Sequence, residues 1–245
     1  MNDRSAVCRQ YDSLISAEEN RAMFDRIAPY YDATNRILSL GLDRLWRVQA
    51  VRRLAPGVGR RYLDVGCGTG DMAMEILRQS RGSTVTGIDR SEAMLALGRR
   101  KAAAKGYDRS IDLLTGDALS LAFDNEMFDG SITAFCIRNV TKRQAALEEI
   151  FRVLRPGGML VILELTQPVG IMQPLFALYS DVVIPAVTRV LSSKPAYKYL
   201  TDSMADFPPS ELFTRVISDS GFVDVEASRL TGGIVTLFAG RKPCG

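Results

Sequence analysis

The run Leu63-Asp64-Val65-Gly66-Cys67-Gly68-Thr69-Gly70-Asp71 delivers an apolar strand into a turn of three glycines that opens a helix, so bare backbone can approach a ligand there. A pyrophosphate wants glycines spaced G-x-G-x-x-G, with its charge on the helix N-terminus. Here the spacing is G-x-G-x-G, and the carboxylate of Asp71 follows, which repels a phosphate. A ligand with a sulfonium and an α-ammonium and no phosphate finds acidic neighbours favourable. The charge pattern therefore prefers S-adenosylmethionine to a dinucleotide.

Two further carboxylates follow at the ends of the next expected strands. Asp89 lies about twenty residues past the glycine turn, where a carboxylate accepts from both ribose hydroxyls. Asp117-Ala118 follows the third strand, where an adenine edge is met and Asp accepts from the exocyclic amine. Each has a structural alternative: a tight turn for the glycines, a helix N-cap before Ser91-Glu92 for Asp89, a solvated turn for Asp117. It is the ordered set at three successive strand ends that favours a cofactor site comprising Asp64, Gly66, Gly68, Gly70, Asp89, Asp117 and Ala118. Cys67 and Cys136 read as small packing residues rather than nucleophiles.

The elements that must hold these residues alternate. Strands are expected at 62–65, 84–88, 111–114, 129–135 and 159–164, with helices at 71–79, 91–104 and 142–154 between them. Such alternation implies a doubly wound, mostly parallel sheet covered on both faces. A helix at 210–220 and strands at 223–228 and 234–240 follow, the short connection between the strands implying an antiparallel last strand in a seven-stranded sheet. Before the sheet, 18–55 is helical, broken at Pro29 and Gly41. The organisation expected is one domain: helical segment 18–55, cofactor-binding core 60–168, inserted helical cap 169–208, and C-terminal helix and hairpin 209–245. The apolar stretch 169–191 is interrupted by Gln173, Pro174, Asp181, Pro185 and Arg189, so it reads as a cap rather than a membrane span.

Composition removes other chemistries. The 245 residues contain no histidine, which excludes Ser-His-Asp and Cys-His nucleophiles, a histidine base and imidazole-dependent metal sites. No metal site is expected. The cysteines at 8, 67, 136 and 244 form no CxxC pair and suit reduced thiols. A net charge of +3 without a basic run argues against nucleic acid, and the polar first twelve residues lack a signal peptide's apolar core, so a cytoplasmic location is expected.

Longer segments narrow the class. Phe24-Asp25-Arg26-Ile27-Ala28 leads to Tyr31-Asp32 and Asn35, then to Leu38-Ser39-Leu40-Gly41 and Arg44-Leu45-Trp46. Further on stand Phe135-Cys136-Ile137-Arg138-Asn139-Val140, Arg152-Val153-Leu154-Arg155-Pro156-Gly157-Gly158, Tyr197-Lys198-Tyr199-Leu200 and Leu230-Thr231-Gly232-Gly233-Ile234-Val235. From about Phe24 to Lys242 the sequence resembles the ubiquinone/menaquinone biosynthesis C-methyltransferases, a family with the Rossmann-like class I methyltransferase fold. The resemblance implies that Thr69, Asp89, Asp117 and Ala118 bind S-adenosylmethionine, and that Arg138, Asn139 and Tyr31 surround an isoprenoid quinol. The sequence departs from the family at Ala134, where relatives often carry a serine near the cofactor, at Gln167 for a frequent lysine, and at Phe238 for a histidine.

Methylating an aromatic carbon needs an electron-rich ring, which a quinol provides once a hydroxyl ionises. A phenol titrates near ~10, and a cation within hydrogen-bonding reach favours its anion, a role open to Arg138. Asn139 and Tyr31 would orient the oxygen, and a water or a carboxylate would take the proton. The alternatives are a salt bridge or capping contact for Arg138 and plain packing for Tyr31. A prenyl tail would suit the apolar cap and peripheral membrane contact, although ordinary core packing explains the same residues. Homodimerisation stays open. The competing activities are a methyltransferase with another small apolar acceptor, a benzoquinol included, an NAD-dependent oxidoreductase, and a non-catalytic nucleoside-binding domain.

Overall fold

A computed structural model describes residues 16–168, 170, 172–180 and 194–245. Seven strands form one sheet: β1 (Arg61–Val65), β2 (Thr84–Asp89), β3 (Ile111–Thr115), β4 (Phe128–Ala134), β5 (Leu154–Leu165), β6 (Val223–Leu230) and β7 (Val235–Arg241), in the order β3-β2-β1-β4-β5-β7-β6. The pairs β3-β2, β2-β1, β1-β4 and β4-β5 are parallel, and β7 runs antiparallel to both β5 and β6. The order reverses at β1 and β4, and there, outside the carboxyl ends of the strands, an open α/β sheet forms its ligand crevice.

The N-terminal region folds as α1 (Ala17–Ile27), a 3₁₀ turn at Ala28–Tyr30, α2 (Tyr31–Leu38) and α3 (Leu42–Leu54). Ser16 caps α1 through a capping box, its Oγ accepting from the Glu19 amide while Glu19 Oε2 accepts from the Ser16 amide. Pro29 and Gly41 mark the two interruptions, Gly41 adopting a φ of 79° that ends one helix and opens the next. Along the sheet come α4 (Asp71–Gln79), α5 (Glu92–Ala104), α6 (Arg143–Val153), α7 (Met172–Leu178), α8 (Lys194–Ala205) and α9 (Ser210–Asp219).

The strand period of two divides the apolar residues between two cores. Tyr62, Val235, Leu237 and Ala239 pack on one face with Trp46, Ala50 and Leu54 of α3 and Met72 and Ile76 of α4. Leu63, Val65 and Phe238 pack on the other with Leu147 and Ile150 of α6 and Phe213 and Ile217 of α9. Phe238 is fully buried and meets Phe213 edge-on with ring centroids 5.0 Å apart. Of the expected cap at 169–208, residues 170, 172–180 and 194–208 are described and carry α7 and α8; the rest lies outside the described residues. Among the described residues no helix is long and apolar enough to cross a membrane.

Candidate active site

The glycine turn after β1 is built as its sequence requires. Gly66, Gly68 and Gly70 have φ of 69°, 54° and 78°, a region that only glycine enters at no cost. A Cβ on Gly66 would collide with Cys136 Sγ, so the loop after β4 closes on bare backbone. The Gly68 amide donates to Asp89 Oδ2 at 2.8 Å and the Ser91 amide to Oδ1 at 2.9 Å. Both carboxylate oxygens are thereby fixed at the end of β2 with lone pairs to spare. Burial raises the Asp89 carboxyl above the ordinary range, against those amide bonds.

A crevice of ≈ 100 Å³ opens over this turn, lined by Gly66, Gly68 and Asp89, then Gly116, Asp117, Ala118 and Leu119, then Ala134, Cys136 and Asn139. Asp117 Oδ1 accepts from the Leu119 amide at 3.0 Å and Oδ2 pairs with Arg90 at 2.9 Å. Phe24 of α1 and Tyr31 of α2 close the crevice from the N-terminal side. Three expected cofactor residues do not line it. Gly70 caps α4, Asp64 is buried beneath the turn, and Thr69 is buried in a cluster where its Oγ1 donates to Asp32 at 2.7 Å and accepts from Lys101 at 2.9 Å.

Asp71 behaves differently from the sequence expectation that it faces the ligand. Lys101 Nζ lies 2.6 Å from it and 2.6 Å from Asp32. Although Asp71's burial alone would raise its pKa, Arg47 and Lys101 outweigh this and hold its carboxyl low. Its charge is spent within the protein. Asp64 gives Oδ2 to the Ala73 amide at 3.1 Å, while Oδ1 has no partner among the described residues. Burial pushes this carboxyl up to about 7, against Arg47 and that amide. Burial likewise pushes the Cys136 thiol up to about 12, which removes it as a nucleophile at neutral pH.

The crevice borders a second, larger cavity of ≈ 630 Å³, and Phe24, Tyr31 and Phe135 line both. Its wall is mostly apolar: Met23, Ile27 and Leu38 from the N-terminal helices, Trp46 from α3, Met172 and Phe176 from α7, and Leu200 and Met204 from α8. Phe135, at the junction, holds a left-handed φ of 58°, a strained conformation for an aromatic residue. Its carbonyl accepts from Arg138 Nη1 at 2.7 Å. Arg138 is buried and pairs through the same Nη1 with the fully buried Glu164 at 2.6 Å, while Nε donates to Ser203 Oγ at 3.3 Å. Burial disfavours the Arg138 cation, but Glu164 more than restores it.

Arg138 and Tyr31 therefore line the cavity, whereas Asn139 lines the crevice and accepts from the Tyr199 hydroxyl at 2.9 Å. Asn20 donates to that hydroxyl at 3.1 Å. Sequence reading assigned no role to Arg47, Phe135, Glu164 or Tyr199. Glu164 did carry a signal, as the single charge in the apolar run from Met159 to Leu165, where a carboxylate needs a partner.

Glycine spacing, sheet order and the Asp89 anchor together define a nucleoside-binding methyltransferase of the doubly wound class. Its donor set suits S-adenosylmethionine: acceptor lone pairs for ribose hydroxyls, an apolar slot between Ile88, Met94, Ala118 and Leu119 for a flat base, and a lining cation, Arg90, already paired with Asp117. The model of the ubiE/COQ5 methyltransferase family matches residues 14–242. The protein belongs to that family, and it is a methyltransferase that uses S-adenosylmethionine. A ubiquinone/menaquinone biosynthesis C-methyltransferase of Syntrophotalea carbinolica is 44% identical over 226 residues, covering 91% of this protein and 94% of that one. A demethylmenaquinone methyltransferase of Bacteroides fragilis is 41% identical over 228 residues, covering 92% and 93%. The solved structure of a SAM-dependent methyltransferase from Thermotoga maritima superposes with a TM-score of 0.62 at 20% identity, covering 91% of this protein and 99% of that one, a likeness of fold.

Proposed function

We propose that this protein methylates a ring carbon of a reduced isoprenoid quinone, taking demethylmenaquinol to menaquinol. The observation that carries this reading is the junction of a narrow polar crevice with an apolar cavity of ≈ 630 Å³ at Tyr31 and Phe135. Bound S-adenosylmethionine supplies a methyl carbon made electrophilic by its positively charged sulfur. Asp89 holds the ribose, the 116–119 turn takes the base, and the bare backbone of Gly66 and Gly68 lets the ligand approach. Arg138, Asn139 and Tyr31 surround the ring of the acceptor, and the Arg138–Glu164 pair fixes the cavity wall against which that ring is oriented. Holding the two reacting carbons ~3 Å apart in line is the main contribution asked of the protein.

The tail is accommodated by the cavity mouth. Tyr30 and Leu40 line the cavity yet are 62% and 77% exposed, and Leu178, beside the cavity-lining Tyr179, is 63% exposed. This apolar rim supports peripheral contact with a bilayer that holds the acceptor's tail. Incubation with labelled methyl donor and either a reduced naphthoquinone or a reduced benzoquinone, with the lipid extracted and weighed by mass spectrometry, tests the reading. A methyl gain on the naphthoquinol is expected. Label on the benzoquinol alone would reassign the acceptor, and label on neither would refute the proposal.

A further inference from the structure

Of the arginines that line the cavity, Arg138 and Arg47 stand against Phe135, which also lines the crevice, in different electrostatic states. Arg138 is matched by Glu164, and its Nη1 also meets the Phe135 carbonyl. Arg47, half-buried on α3, has neither a hydrogen bond nor an ion pair among the described residues. Its Nε is buried and unpartnered, and its Cζ stands 5.3 Å over the ring of Phe135. A cation taken out of water without a carboxylate or carbonyl opposite is costly, and a ring face recovers only part of that cost.

Asp71 and Asp64 lie near enough for their charges to favour the Arg47 cation as it favours theirs, but neither accepts a hydrogen bond from it. Asp71 of α4 is bonded to Lys101, and Asp64 of β1 gives its bonded oxygen to the Ala73 amide. Tyr31 of α2 offers the remaining polar atom, a hydroxyl whose ionised form both arginines favour, Arg47 more strongly than Arg138, although burial outweighs them and raises it. Tyr31 lines the cavity together with both guanidinium groups, and of the two Arg47 is the one whose side chain has no hydrogen-bond acceptor among the described residues.

We propose that Arg47 binds the ionised ring oxygen of the acceptor, with Arg138, neutralised by Glu164, as a positioning residue; this rests on the quinol reading above. The hydroxyl proton leaves to water and the charge spreads onto the adjacent ring carbon. That carbon forms the new C–C bond as the methyl–sulfur bond breaks, sulfur keeping the pair and losing its charge, and the ring proton then leaves to water. The oxyanion exists only once the acceptor ionises, so an unpaired cation serves it better than one already matched.

The test uses the full-length protein and the variants Arg47→Met, Arg47→Gln and Arg47→Lys. With no methyl donor present, the absorbance of bound 1-naphthol is followed against pH. The parent should ionise it ~1–2 units lower than the Met and Gln variants do, with Lys between. In the labelled transfer assay at saturating donor, the neutral variants should lose roughly ten- to hundredfold in kcat near neutrality, a gap that narrows as pH rises. Thermal protection by S-adenosylhomocysteine should be equal in all four proteins, and the Gln variant decides if the Met variant does not fold. Unchanged naphthol ionisation in a folded neutral variant would overturn the proposal. An Arg47-dependent naphthol shift in a protein that methylates neither quinol would leave the anion site standing and remove the acceptor assignment.

Discussion

The crevice and the cavity share three residues and are held together in different ways. In the crevice each carboxylate is bound by amides near in sequence or at the adjoining strand end: Asp89 by Gly68 and Ser91, Asp117 by Leu119. In the cavity the polar contacts cross the fold. Arg138 meets Glu164 of β5, the Trp46 indole donates to Thr231 at 2.8 Å, and the hydroxyl of the cavity-lining Tyr199 reaches Asn20 and Asn139 of the crevice. A binding site for an invariant ligand can be written into short turns, whereas a site for a large apolar acceptor needs walls from many elements. The second arrangement concentrates its energetic weight in a few buried pairs.

The sharpest way to break that contrast is Glu164→Ala. It leaves Arg138 buried opposite no charge, and a loss of ~3–5 kcal/mol in urea unfolding is expected. A loss below about 1 kcal/mol would mean that the pair is exchangeable with solvent and that the cavity wall is not fixed by it. A smaller effect is expected in the crevice from Asp89→Ala, which removes an acceptor without unpairing a buried cation. Affinity for S-adenosylhomocysteine should fall roughly ten- to hundredfold by calorimetry, the worth of hydrogen bonds to a charged group. Unchanged affinity would remove Asp89 from the ribose role.

A third test concerns pH. The Asp64 carboxyl is raised to about 7 in the folded protein, so the native state holds a proton that the unfolded state releases near ~4. Below that range both states are protonated. As pH rises from ~4 towards 7 the unfolded state binds fewer protons than the native one, and this group's contribution to stability falls, levelling off above 7. Asp64→Asn should flatten that part of the profile of melting temperature against pH, and a slope equal to the parent's would show that Asp64 titrates normally.

Much of this was legible before folding. The strand and helix boundaries followed from apolar periodicity and from Pro29, Gly41 and the glycine turn, and Asp89, Asp117 and Ala118 stand where successive strand ends were expected to carry them. Asp71 was misread because a sequence shows a carboxylate's position and not its partner. Lys101, thirty residues away on α5, takes its charge. For Arg138 a salt bridge was the alternative to a role at the ring oxygen, and its partner could not be named because that carboxylate stands on another strand.

The sequence by itself determined the doubly wound sheet, the bare-backbone turn and the carboxylate at the end of β2, because these depend on backbone conformation and on spacing along single elements. The tertiary structure alone decided which charges are spent and which are left over. Coulomb energy depends on distance through space and on burial, so that Lys101 is shared by Asp71 and Asp32, Glu164 neutralises Arg138, and Arg47 faces the cavity over Phe135 with no hydrogen-bond partner among the described residues.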